Sequence, residues 1–171
     1  QGVSSAASDV YKRQRQIQVS PVELVKAYLS RIDQYDSELH SYITVSADEA
    51  LASARKSEDM LARGDKLGPL HGLPMALKDQ FETAGILTTS GSRSMEHNVP
   101  NSDATVVDRL KQAGAILLGK LTMTQFASGM PDPYQFNDPP RNPWNKARDP
   151  LGSSTGSGIA IAASMCSFSL G

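Results

Sequence analysis

A chain of 171 residues can bury a sizeable core, and 39% hydrophobic with 20% charged residues is the balance of an ordinary globular protein. Seventeen Lys and Arg are dispersed among eighteen acidic residues for a net charge of −1, which argues against a basic face that binds nucleic acid directly. No apolar stretch reaches membrane-span length, no basic start leads into an apolar signal core, and the single Cys166 excludes an internal disulfide, so the expectation is a cytoplasmic protein with no membrane contact.

Residues 1–14 show neither helical nor strand periodicity and resemble translated sequencing adapter; they are expected to be a non-native or disordered leader, outside the fold. Ser20-Pro21-Val22-Glu23 is a capping box with proline at the first helical position, and Leu24, Ala27, Tyr28, Ile32 and Tyr35 recur at helical spacing, predicting a helix to about residue 36. Residues 39–45 have β-branched and aromatic character and read as a short strand. Ser46-Ala47-Asp48-Glu49 is expected to cap a second helix that ends at Gly64. Residues 75–81 read as a buried strand with Lys78 near its carboxyl end, and residues 85–94 as a loop rich in glycine and serine. Asp103 is expected to cap a helix ended by Gly114, followed by a strand at 115–118 and a short helix at 121–128. Prolines 131, 133, 139, 140, 143 and 150 make 130–150 a long loop whose length points to function or packing over a site, with Trp144 as a packing anchor. A helix of small residues over 156–165 and a strand at 168–170 complete an α/β alternation, predicting a mixed sheet flanked by helices.

Two segments carry the chemistry. In Leu151-Gly152-Ser153-Ser154-Thr155-Gly156-Ser157-Gly158, adjacent serines offer hydroxyls that pass protons, and the glycines permit positive φ and close approach of a ligand. In Gly72-Leu73-Pro74-Met75-Ala76-Leu77-Lys78-Asp79 one lysine closes an apolar run, where desolvation favours the neutral amine. A neutral lysine beside a serine is a known variant of the serine triad. Taken singly, each has a plainer reading: Lys78 as a surface lysine at a strand end, and the glycine-rich turn as helix packing or an anion loop. The turn lacks the lysine of a Walker loop, and its spacing does not match the dinucleotide fingerprint. His40, His71 and His97 have no metal-ligand spacing.

Together the segments resemble those of the amidase signature family, whose usual patterns are G-I-P-x-A-x-K-D and G-G-S-S-G-G-S-A; here Lys78 and Ser153 stand 75 residues apart, as that pattern requires. Thr88-Thr89-Ser90-Gly91-Ser92, Asp103-Ala104-Thr105-Val106-Val107, Gly114-Ala115-Ile116-Leu117-Leu118-Gly119-Lys120 and Arg141-Asn142-Pro143-Trp144 add further matches, so the resemblance runs from about residue 19 to 171. It implies an amidase-signature α/β fold present to about its N-terminal third, residues 15–171 forming an incomplete part of one domain.

The resemblance further implies a Ser-Ser-Lys triad, with Lys78 as base and Ser153, after a cis peptide bond, as its middle member. Ser154 is then a supporting residue and Gln125, Phe126 and Ala127 a stretch lining the substrate pocket. The nucleophile, a serine in a D-x-G-G-S segment, is expected after Gly171. Leu151 and Thr155 stand where the pattern has glycine and leave the subfamily open. The implied activity is hydrolysis of a small-molecule carboxylic amide without metal or organic cofactor, compatible with a homo-oligomer. One alternative is the glutamine-hydrolysing A subunit of a tRNA-dependent amidotransferase with its partner subunits; Leu151, Thr155 and Thr122-Met123-Thr124-Gln125, where those subunits show T-N-M-D-E, speak against it. Another is a non-catalytic protein reusing the fold.

On this reading the 171-residue chain by itself releases no ammonia above background from simple amides or glutamine. Turnover that Ser153→Ala abolishes would show that the chain carries its own nucleophile.

Overall fold

The computed structural model describes residues 19–128 and 136–171. The leader expected over residues 1–14 therefore lies outside the described residues, as does the part of the proline-rich loop at 130–135. Five elements come first in the chain: α1 (Pro21–Leu39), β1 (Tyr42–Val45), α2 (Ala47–Arg63), β2 (Pro74–Lys78) and α3 (Thr105–Gln112). They are followed by β3 (Ile116–Leu121), α4 (Thr155–Ala162) and β4 (Phe168–Leu170).

The capping box forms as the sequence requires. The Ser20 hydroxyl accepts from Val22 and Glu23 N–H at 3.1 Å each, and the Glu23 carboxylate accepts from Ser20 N–H at 3.2 Å. The helix runs three residues beyond the expected end, to Leu39, where His40 in the left-handed region stops it. There the Asp36 carboxylate accepts from the backbone N–H groups of Ser41 and Tyr42, turning the chain into β1. Ser46 makes no side-chain cap bond to α2. Asp103 also does not cap: Ala104 holds that position in α3, and the Asp103 carboxylate takes the Ala84 N–H and the Lys111 ammonium instead. The periodicity placed both helices, but these polar side chains found other partners.

The sheet is mixed, in the order β1-β3-β2-β4. β1 runs antiparallel to β3, while β2 is parallel to both β3 and β4. Every residue of β2 and β3 is buried, which explains why both read as continuous apolar runs ended by or containing one lysine. Side chains alternate between two cores. Ala76, Ile116 and Leu118 face α1, α2 and α4, against Val25, Ala54, Ile159 and Ala160. Met75, Leu77 and Leu117 face Val107 of α3. β3 extends to Leu121, so the helix expected over 121–128 shrinks to one 3₁₀ turn at Gln125–Ala127. Among the described residues no helix is long and apolar enough to cross a membrane.

α4 docks on the end of β3 through Gly156, whose N–H donates to Thr122 O at 2.8 Å. A Cβ there would fall 2.4 Å from Ser41 O and 2.6 Å from Thr122 N, both backbone atoms that cannot swing aside. Gly156→Ala should destabilise the fold by on the order of 3 kcal/mol, read from the chemical-denaturation midpoint; an unchanged midpoint would mean the helix start is not held this close.

Candidate active site

Lys78 is the last residue of β2 and shares strand parity with Ala76, so its side chain rises on the face that carries α4. The chain entering α4 brings Ser153 and Ser154 to that amine. Lys78 Nζ lies 2.8 Å from Ser153 Oγ and 2.8 Å from Ser154 Oγ. Ser154 occupies the N-cap position of α4 without bonding the helix N–H groups, its hydroxyl being engaged by Lys78. Ser153 O accepts from Thr124 N–H at 3.2 Å, which pins the turn to the end of β3. The Gly152–Ser153 peptide bond is cis.

Lys78 is 4% exposed. Burial pushes its amine below the ordinary lysine range, because low-dielectric surroundings penalise the charged form. Among the described residues no carboxylate forms an ion pair with it. Two hydroxyls and no counter-ion leave the site suited to a lysine that alternates between neutral base and ammonium.

The neighbouring Asp79 points to the other face and meets a second buried lysine, Lys120, which stands in register with Leu77. Lys120 is 0% exposed, its Nζ 3.4 Å from Asp79 Oδ1 and donating to Phe81 O and Thr88 Oγ1 at 2.7 Å. Burial lowers its pKa, opposed by the Asp79 charge. Asp79 Oδ2 accepts from Thr89 N–H at 2.8 Å and Thr89 Oγ1 at 2.5 Å. This pair anchors the Thr88-Thr89-Ser90-Gly91-Ser92 loop beneath the site. The loop then holds the 3₁₀ turn, through Phe126 N–H to Ser90 O at 2.9 Å and Gln125 Nε2 to Ser92 Oγ at 2.9 Å. Asp79 and Lys120 escape sequence reasoning as functional candidates, although Lys120 carries the same signal as Lys78: one lysine on an apolar strand.

A cavity of about 570 Å³ opens beside Ser153. Ala127 and Thr155 line it, together with Met123, Pro139, Pro150 and Leu151. Gln125 and Phe126 stand off its wall, Gln125 turned to Ser92 and Phe126 54% exposed with positive φ. The described part of the proline-rich loop borders this cavity, but Trp144 is 83% exposed and anchors no core. The loop backbone turns there, with the Trp144 N–H donating to Asn142 Oδ1 at 2.9 Å. Gly171 passes close behind Ser154: a Cβ on it would lie 2.8 Å from Ser154 Cβ and 3.0 Å from Ser154 Oγ.

The arrangement has counterparts. A family model described as Amidase matches residues 23–171. The chain belongs to the amidase signature family. It is 46% identical over 153 residues to the glutamyl-tRNA(Gln) amidotransferase A subunit of Anaeromyxobacter sp. (strain K), covering 90% of this chain and 31% of that protein. Among solved structures, native peptide amidase from Stenotrophomonas maltophilia superposes with a TM-score of 0.85 at 33% identity, covering 94% of this chain and 34% of the amidase. A chain of the vestigial protein complex tied to the evolutionary origins of an s-triazine catabolic enzyme gives 0.87 at 34% identity, with 94% and 35% covered. The chain thus spans about a third of the length of the relatives it matches. Its mixed sheet flanked by helices is the amidase-signature fold.

The site's protonation can be read directly. Lys78 binds fewer protons folded than unfolded between its depressed folded pKa and the ordinary value of 10.5, so its burial costs stability at neutral pH and that cost is relieved as pH rises through this window. NMR titration of side-chain-labelled lysine should show Lys78 losing its proton below 10.5. A transition at or above that value would contradict the desolvated amine.

Proposed function

We propose that these residues form part of an amidase active site that cleaves carboxylic amides through a Ser-Ser-Lys triad. The carrying observation is the Lys78 amine, buried without a carboxylate and within 2.8 Å of the Ser153 hydroxyl. In this reading neutral Lys78 takes the proton of Ser153 as Ser153 takes that of a third serine, whose oxygen attacks the amide carbonyl. The tetrahedral intermediate collapses as the same relay, run backwards, delivers a proton to the leaving nitrogen, and ammonia departs from a primary amide. Water, deprotonated by the relay, then attacks the acyl-enzyme ester and releases the acid, returning Lys78 to the neutral amine. The third serine belongs to the segment expected after Gly171, and the contact of Gly171 with Ser154 would start that segment beside the pair. Backbone N–H groups of that glycine-rich segment would hold the oxyanion. Ser154, the second hydroxyl on Lys78, keeps the amine aimed at Ser153.

A second reading is favoured by the 46% identity to an amidotransferase A subunit: the same triad would hydrolyse glutamine and pass ammonia to partner subunits. Leu151, Thr155 and Thr122-Met123-Thr124-Gln125 weigh against it. The two readings separate by substrate, since the first gives turnover of simple amides in the single protein and the second gives glutamine turnover that rises with partner subunits.

The test uses the longer protein that carries these residues and the segment after Gly171. Lys78→Ala and Ser153→Ala should each lower kcat by on the order of 10²–10⁴-fold with KM little changed, because the lost groups move protons in the transition state. Ammonia release that survives either substitution would sink the triad. A continuation without a serine in the D-x-G-G-S position would support a non-catalytic use of the fold.

A further inference from the structure

His40 holds both of its ring nitrogens against backbone carbonyls. Nδ1 lies 3.1 Å from Pro139 O, and Nε2 lies 2.9 Å from Ser37 O. A carbonyl oxygen only accepts, whereas a neutral imidazole carries one N–H and one bare lone pair. The neutral ring therefore serves one of these carbonyls, and only the imidazolium, with two N–H donors, serves both. The backbone of His40 is itself fixed. It ends α1 at φ +52°, its N–H donates to Asp36 O at 2.8 Å, and its O accepts from the Thr122 hydroxyl at 2.8 Å.

The two carbonyls differ in their freedom to move. Ser37 O belongs to the last turn of α1, among the carbonyls that helical bonding leaves without a partner and where the helix dipole favours a cation. Pro139 O belongs to the proline-rich loop. Pro139 and Pro140 both line the cavity beside Ser153, and neither has an N–H with which to fasten itself. Before them the Asn137 amide donates to Thr122 Oγ1 at 3.0 Å, and after them the Arg141 N–H donates to Leu39 O at 2.9 Å. Among the described residues the His40 ring makes the one tie to the body of the fold between those two points. The charged groups around the ring are Glu38 from α1 and Arg141 and Lys146 from the loop, with Lys146 paired to Glu38. Asp138 adjoins Pro139 in the chain, while Asp36 is turned to the N–H groups of Ser41 and Tyr42. β1 and β3 lead here to the uncharged Ser41 and Thr122, and among the described residues no carboxylate bonds the ring.

We propose that His40 is a proton-operated clip for the proline-rich loop: its imidazolium fastens Pro139 to the end of α1, and loss of one proton to solvent releases it. The proton that leaves is the one on Nδ1. Nε2–H stays on Ser37 O, which the helix holds in place, and the bare Nδ1 lone pair then faces the lone pairs of Pro139 O and repels them. Pro139 and Pro140 are part of the cavity wall, so the clip couples pH to the shape of the cavity beside Ser153. This coupling holds whatever chemistry Lys78 and Ser153 perform.

The experiment follows ring and loop together in the 171-residue chain by heteronuclear NMR, as pH is raised from about 5 to about 8, the range in which histidine changes charge. Both ring nitrogens of His40 should carry protons at the low end, and Nε2 alone at the high end. The Arg141 N–H is the next tie along the loop, and its protection factor against hydrogen exchange should fall by about tenfold as the ring titrates. His40→Gln donates from one nitrogen and takes up no proton, so it should show the high-pH protection at every pH. Three results would overturn the proposal: a neutral ring protonated on Nδ1, an Arg141 protection factor that stays constant while the ring titrates, or a pH dependence that survives in His40→Gln. The first two are read from the wild-type chain, so they decide the matter even where the variant fails to fold.

Discussion

One buried amine organises this structure. Lys78 can reach two serine hydroxyls only because β2 lies inside the sheet between β3 and β4, and because α4 starts directly above the strand's carboxyl end. Strand parity sends the lysine to the α4 face, and Gly156 lets the helix start approach the backbone of Ser41 and Thr122. Moving either element by one residue would leave the amine buried with no partner, a state costlier than the present one.

The opposite face shows what a buried lysine requires when it is structural. Lys120 receives a carboxylate, a carbonyl and a hydroxyl, and so remains a charge-paired anchor for the loop that carries Thr88 and Thr89. Lys78, one strand over, receives hydroxyls alone. The two lysines are similarly buried but differently partnered: Lys120 is charge-paired and holds the site's floor, while Lys78 has hydroxyl partners and no carboxylate among the described residues. Through Ser90 and Ser92 that floor also sets the turn at Gln125–Ala127, so the anchor reaches the cavity wall without touching the cavity.

The cavity wall draws on distant parts of the chain. Met123 and Ala127 follow β3, Pro139 and Pro150 come from the proline-rich loop, and Leu151 leads into the serine turn. Across the serine turn the Thr155 hydroxyl donates to the Leu151 carbonyl, tying the cavity wall to the start of α4.

Residue order by itself determined that helices follow Ser20 and Ser46, though not that the first runs on to Leu39, and it determined the buried strands and the lysine–serine pairing, because periodicity and motif spacing are local or pattern-borne properties. It also carried the family, through matched segments spread over most of the chain. Tertiary structure alone decided which polar side chains bond to what. Asp103 was spent on Ala84 and Lys111 rather than on its helix, β3 ran on through Lys120 to Leu121, where a helix was expected to begin, and Trp144 was left in solvent. The physical reason is the same in each case. A hydrogen-bond partner or a strand neighbour is chosen by what lies within about 3 Å in space, and those neighbours come from segments that no local pattern connects.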